Sequence, residues 1–199
     1  MFKPTLGIIG GGQLGSLLAT AAKDLDVRTV IFCDDINAPG KHFCDEFILG
    51  DYINEIKIKE FCYKVDIITY EFENIPFKTL EYLNNQKKVL PKPGINKIIQ
   101  NRFSEKDFIN KCNLRTTSYN YIDNLDKIKA SSDLLPGLLK TCTLGYDGKG
   151  QYKINDLKDL DKLNIDFNKD YILEKFISLK QEISVIITRF GHQKYEIYE

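Results

Sequence analysis

The chain has 199 residues, with 28 Lys plus Arg balanced against 28 Asp plus Glu and a hydrophobic fraction of 43%. That balance supplies no overall positive field to draw the chain to nucleic acid or an anionic membrane, and no stretch approaches the roughly 20 apolar residues of a membrane span. The length allows one large core or two small ones, and the expected partners are small molecules.

Leu6–Ile9 is an apolar run closed by glycines and reads as a buried strand. The five residues before Leu6 are too few for a signal peptide. Leu14, Leu17, Leu18, Ala21, Ala22 and Leu25 then recur at helical spacing, which predicts a helix burying that face. Arg28–Cys33 is the next strand, Glu46–Leu49 a short third and Val65–Tyr70 a fourth, with helical segments between some of them. Strands alternating with helices predict a parallel sheet with crossovers. Lys87–Leu90 closes this unit, and Pro91 and Pro93 mark a boundary.

The second unit starts with a predicted helix over Ile95–Cys112, with Ile98, Ile99, Phe103, Phe108 and Ile109 in the core and Arg102, Glu105 and Lys106 mostly outward. Strands are expected at Leu138–Thr141, Tyr152–Ile154, Tyr171–Ile177 and Glu182–Arg189, with a polar helix near Asp156–Leu163. Five scattered cysteines without a C-x-x-C pair suggest neither a disulfide framework nor a zinc site, as expected for a cytosolic chain. Cys142, beside a glycine-rich loop, is the one candidate for a reactive thiol, a minor reading with no call for it in the chemistry below.

Ligands of open parallel sheets bind beyond the carboxyl ends of the strands, and those ends are polar in this chain. After the first strand Gly10, Gly12 and Gly15 form G-x-G-x-x-G, a loop whose N–H groups and following helix suit a phosphate. Asp34 lies near the place of a ribose-binding acid, so an NAD-binding oxidoreductase domain stays open; only His42 and His192 are available as histidines, and no hydride-transfer site is evident. After the fourth strand, Glu71 and Glu73 point to the same side if the chain stays extended, as a paired-carboxylate site or a solvated strand end.

A second glycine loop, Leu144–Gln151 (LGYDGKGQ), joins two strands and reads as a flap whose amides and lysine close over a polyphosphate, against the plainer reading of a D-G hairpin turn. Lys140 sits on an apolar strand, where it either faces outward or meets an anionic partner such as a phosphate. Glu174 and Glu182 open onto neighbouring apolar strands, as a purine and ribose reader or as surface.

GIIGGGQLG, TYEFENIP, NRFSEK, LLKTCTLGYDGKGQ, ILEKFI and QEISVI occur in the order that resembles the 5-(carboxyamino)imidazole ribonucleotide synthetase family of ATP-grasp ligases, over essentially the whole chain. The resemblance implies an α/β fold: a preATP-grasp Rossmann-like parallel sheet over residues 1–93, then an incomplete α+β ATP-grasp domain over 94–199, comprising a lid subdomain and the start of the large subdomain. It implies ATP and Mg²⁺ as cofactors, 5-aminoimidazole ribonucleotide and bicarbonate as substrates, a homodimer, and a place in purine synthesis. Phosphoryl transfer through carboxyphosphate would rest on positioning and charge neutralisation.

Carried over by position, the ATP site would comprise Arg102, Lys140, the flap Gly145, Tyr146, Asp147, Gly148, Lys149, Gly150 and Gln151, then Glu174, Lys175, Phe176 and Ile177 around the adenine, with Glu182 on the ribose. Glu73, Tyr146 and Lys149 would act at the reacting groups, and Gly11, Gly12, Gln13, Leu14 and Glu73 would face the ribonucleotide. Two departures stand out: Leu144 where the family usually has glycine, and Ser16 where a larger or basic residue is common. The family's acidic and asparagine Mg²⁺ ligands are expected beyond Glu199, so a fragment with weak or no turnover, or a non-catalytic ribonucleotide-binding module, is the corresponding expectation.

Overall fold

A computed structural model describes residues 3–145 and 150–198. Strands β1 (Leu6–Ile9), β2 (Thr29–Cys33), β3 (Glu46–Leu49), β4 (Ile67–Tyr70) and β5 (Lys88–Val89) form a parallel sheet in the order β3-β2-β1-β4-β5. Ile8, Ile9, Val30, Ile31, Phe32 and Ile68 are fully buried, as apolar strands covered on both faces must be. One face carries α2 (Glu55–Lys64) and α3 (Phe77–Gln86), whose Phe61, Leu80 and Leu83 pack with Val30, Phe32 and Ile68. The other carries α1 (Gln13–Asp24), with Ala19 against Ile8 and Ile31.

The expected buried face of α1 holds only at Ala22. Gly15, Ser16, Ala19 and Ala22 are its buried residues, whereas Leu14, Leu17 and Leu25 are more than half exposed. Small side chains let the helix lie close on the sheet, so close approach rather than apolar bulk selects the inward face. Leucine periodicity alone reports the opposite side.

The helix expected over Ile95–Cys112 is two: α4 (Pro93–Ile99) and α5 (Arg102–Lys111). Asn101 ends one run and caps the next, its Oδ1 accepting the Ser104 N–H at 3.0 Å. The break turns α5 so that Phe108 is half exposed while Arg102 and Lys106 face the second sheet, reversing the expected orientation of its charges.

That second sheet is antiparallel, ordered β6 (Tyr119–Ile122), β9 (Tyr171–Lys175), β7 (Gly137–Thr141), β8 (Gln151–Ile154). Its core joins Ile122, Leu139, Ile154, Tyr171 and Leu173 to Ile128 of α6 (Leu125–Ala130). The polar segment Leu157–Lys162 is 3₁₀ rather than α-helical, started by an Asp156–Asp159 capping box. The expected strand from Glu182 begins at Ile186 instead: among the described residues β10 (Ile186–Gly191) pairs only with β11 (Lys194–Tyr198) in a two-stranded ribbon.

Candidate functional site

Strand order reverses at β1, which lies between β2 and β4, so the turn after β1 and the turn after β4 meet in one crevice. The first glycine loop therefore faces Glu71. Both Glu71 oxygens are taken: Oε1 accepts the Gly12 N–H at 2.6 Å and Oε2 the Gly15 N–H at 2.5 Å. Gly11 is buried beside Cys33 and Ala38 and its carbonyl accepts the Gly40 N–H, while Gln13 and Leu14 are exposed on the first turn of α1.

Glu71 and Glu73 do not pair, because the chain turns after Tyr70 instead of staying extended. Glu73 lines a cleft of about 300 Å³ with Gln100, Arg102, Glu105, Leu144 and Gly145. Its main-chain carbonyl is fixed from α4 and the turn that follows, accepting from Asn96 Nδ2 at 3.0 Å and Gln100 Nε2 at 2.6 Å; both amides also reach the Ile75 carbonyl. Thus the end of the first sheet and the start of α5 share one cleft.

Arg102 braces the base of the second glycine loop. Its Nη1 donates to the Thr141 carbonyl at 2.8 Å and its Nη2 to the Gly145 carbonyl, while its backbone N–H donates to Cys142 O. The far side of the loop closes through Gln151 paired with Lys140 and the Thr141 N–H donating to Gly150 O at 3.0 Å. Tyr146, Asp147, Gly148 and Lys149 lie outside the described residues. Leu144 holds φ +58°, a left-handed conformation in which glycine is unstrained.

Lys140 does have an anionic partner, and it is the chain's own Glu174. On adjacent strands Glu174 stands opposite Leu138, diagonal to Lys140, and its Oε2 lies 2.9 Å from Lys140 Nζ. Lys106, one turn beyond Arg102 on α5, reaches Glu174 Oε1 at 3.5 Å. Glu174 is only 7% exposed, so one buried carboxylate is shared between two ammonium groups and the trio carries a net positive charge. Lys106 was expected only as an outward charge beside Arg102, not as a site residue; its i+4 spacing from Arg102 was the available signal.

Beyond β9 the Lys175 and Phe176 N–H groups donate to Ser118 O and Pro136 O, and Lys153 Nζ stands 4.5 Å from the centre of the Phe176 ring. Ile177 is half exposed. Glu182 is exposed and precedes β10, so the structure does not place it on a strand neighbouring Glu174. Cys142 is buried, and burial with the nearby Asp170 charge pushes its thiol up to about 11, the reverse of an activated thiol. Among the described residues, no three His, Cys, Asp or Glu side chains cluster to hold a metal ion, and no helix is long and apolar enough to cross a membrane.

A ribonucleotide synthetase preATP-grasp domain model matches residues 3–100, and an ATP-grasp domain model matches residues 107–199. The chain is 37% identical over 190 residues to an N5-carboxyaminoimidazole ribonucleotide synthase of Brucella melitensis, covering 93% of this chain and 52% of that one. It is 36% identical over 192 residues to a bifunctional purine synthesis protein purC/E of Dictyostelium discoideum, covering 93% of this chain and 19% of that protein. The crystal structure of N5-carboxyaminoimidazole synthetase from Staphylococcus aureus complexed with ADP superposes with a TM-score of 0.92 at 30% identity, covering 99% of this chain and 54% of that one. The chain thus spans about half the length of the synthases it matches.

Proposed function

This chain belongs to the N5-carboxyaminoimidazole ribonucleotide synthetase family of ATP-grasp proteins, and from that premise we propose that it serves ATP-dependent carboxylation of 5-aminoimidazole ribonucleotide by bicarbonate. A bicarbonate oxygen attacks the γ-phosphorus of ATP and ADP departs, leaving carboxyphosphate. The exocyclic amine then takes the carboxyl group, losing a proton as phosphate leaves.

The observation that carries this reading is the convergence of Arg102, Lys106 and Lys140 at the base of the second glycine loop, with one buried carboxylate between two of them. A net positive, partly desolvated cluster beneath a glycine-rich hairpin suits a triphosphate and neutralises charge as the phosphoryl group moves. Lys140 and Arg102 would hold phosphates, with Gly145, Gly150 and Gln151 and the undescribed Tyr146, Asp147, Gly148 and Lys149 closing over them. Lys175, Phe176 and Ile177 would border the adenine, and Glu182 the ribose. Glu73, across the 300 Å³ cleft from Arg102 and Gly145, would face the ribonucleotide and bicarbonate, with Gly11, Gly12, Gln13 and Leu14 on the same side.

The Mg²⁺ that accompanies ATP in this reading finds no carboxylate set among the described residues, so the roles above concern the nucleotide and not the metal. The reading includes a preATP-grasp domain over residues 1–93, an ATP-grasp domain over 94–199, a homodimer and a cytoplasmic setting.

Calorimetric titration tests it. ADP and ATP should bind and NADH should not, and Lys140→Met should weaken ADP binding by about tenfold or more, equivalent to ~1.4 kcal/mol. Binding of NADH in preference to ATP, or ADP affinity indifferent to Lys140, would overturn it.

A further inference from the structure

We propose that Glu71 is a resident anion: its carboxylate occupies the seat that the first glycine loop would otherwise offer to a phosphate, fixes the loop's shape, and makes Glu71 a positioning and specificity-determining residue. The proposal stands apart from the nucleotide chemistry at Arg102 and Lys140 and holds or fails independently of it.

The fingerprint glycines fit this occupant closely. A Cβ on Gly10 would stand 2.5 Å from Glu71 Cγ, one on Gly12 2.9 Å from Glu71 Oε1, and one on Gly15 3.2 Å from Glu71 Oε2 and 2.6 Å from the Gly10 carbonyl. The space that glycine clears for a pyrophosphate in a dinucleotide fold is here filled by a side chain arriving from the end of the neighbouring strand β4. Of the N–H groups that open α1, those of Gly12 and Gly15 are consumed by one carboxylate, oxygen by oxygen.

A charge-assisted pair of this kind is strong, and a second anion in the same crevice would meet the repulsion of the first with the Gly12 and Gly15 donors already taken. The loop therefore rejects phosphate. A ribonucleotide that meets this edge of the sheet does so through groups other than its phosphate, and a dinucleotide is excluded although G-x-G-x-x-G and Asp34 are both in place.

The test follows the Gly12 and Gly15 amides by ¹⁵N–¹H NMR of the full chain while inorganic phosphate is added at constant ionic strength. In the wild type both amides should ignore phosphate. Glu71→Ala should expose the seat, so that phosphate shifts both amides saturably and binds about tenfold or more tighter than to wild type. Glu71→Gln keeps the volume but turns a donor toward one of the two N–H groups, and should release one amide. A residue that merely filled space would produce no gain of phosphate binding. Saturable displacement by phosphate in the wild type, measurable whether or not any variant folds, would overturn the proposal, as would a folded Glu71→Ala protein whose loop amides stay silent.

Discussion

Glu174→Gln isolates the energetics of the shared carboxylate. At 2.9 Å from Lys140 and 3.5 Å from Lys106, with an effective dielectric of about 20, the gross attractions are ~6 and ~5 kcal/mol. Taking each ion out of water offsets several kcal/mol of that. The substitution keeps the volume and removes the charge, leaving two ammonium groups facing each other with side chains 21% and 18% exposed. Unpairing a buried ion costs about 3–5 kcal/mol, but lysine stems relax toward water, so the expected loss is ~2–3 kcal/mol. For a chain of this size that lowers the melting midpoint by roughly 5–10 °C. Far-UV circular dichroism with tyrosine fluorescence follows the transition, since the chain has 11 Tyr and no Trp. Lys106→Met and Lys140→Met each leave Glu174 one partner and should cost less than Glu174→Gln, whereas the double variant orphans the carboxylate and should cost about as much. A Glu174→Gln protein melting with the wild type would refute the reasoning.

Two further outcomes follow from the same region. Leu144→Gly removes the strain of φ +58°, worth ~1–2 kcal/mol for a residue with a side chain and partly offset by ~0.4–1 kcal/mol of unfolded-chain entropy; the melting midpoint should rise by a few degrees, and a fall would show that the Leu144 side chain contributes more than its backbone costs. Alkaline stability should drop where Cys142 governs it: the ordinary thiol value is 9.0 and the folded one about 11, so below pH 9 both states hold the proton and stability is flat. Between pH 9 and 11 the unfolded chain releases its proton first, and stability falls by up to ~1.4 kcal/mol per pH unit. Denaturant titrations across that range should show the slope in wild type and a shallower one in Cys142→Ala; equal slopes would sink the assignment.

The parallel sheet was legible because apolar runs such as Leu6–Ile9 and Glu46–Leu49 carry their own boundaries, and both match observed strands. Where prediction failed, the deciding contact was either remote in sequence or a single local side-chain cap. Helix α1 turns its Gly, Ser and Ala residues inward because the sheet lies close, which a leucine count cannot register. The break at Asn101 turns on one side-chain cap, and it swings Lys106 toward Glu174, 68 positions along the chain. β6 and α6 were not among the expected elements: Tyr119–Ile122 lacks the apolar run that marked the other short strands. At the site, Lys140 was expected either to face outward or to meet an anion such as a phosphate, and its pairing with Glu174 was not legible because it joins strands 34 positions apart. Glu71 shows the same blind spot, since a glycine pattern specifies a space and not its occupant.

Among the described residues, the ribbon of β10 and β11 pairs only with itself, with Ile186, Ile187, Phe190, Tyr195 and Ile197 all more than half exposed. An isolated pair of strands is marginal in water, and its opening disturbs neither of the larger sheets. Its amides should therefore surrender deuterium protection at a far smaller free energy than those of β1 or β9. Exchange in the ribbon therefore reports a local opening that precedes the global transition followed by the melting midpoint.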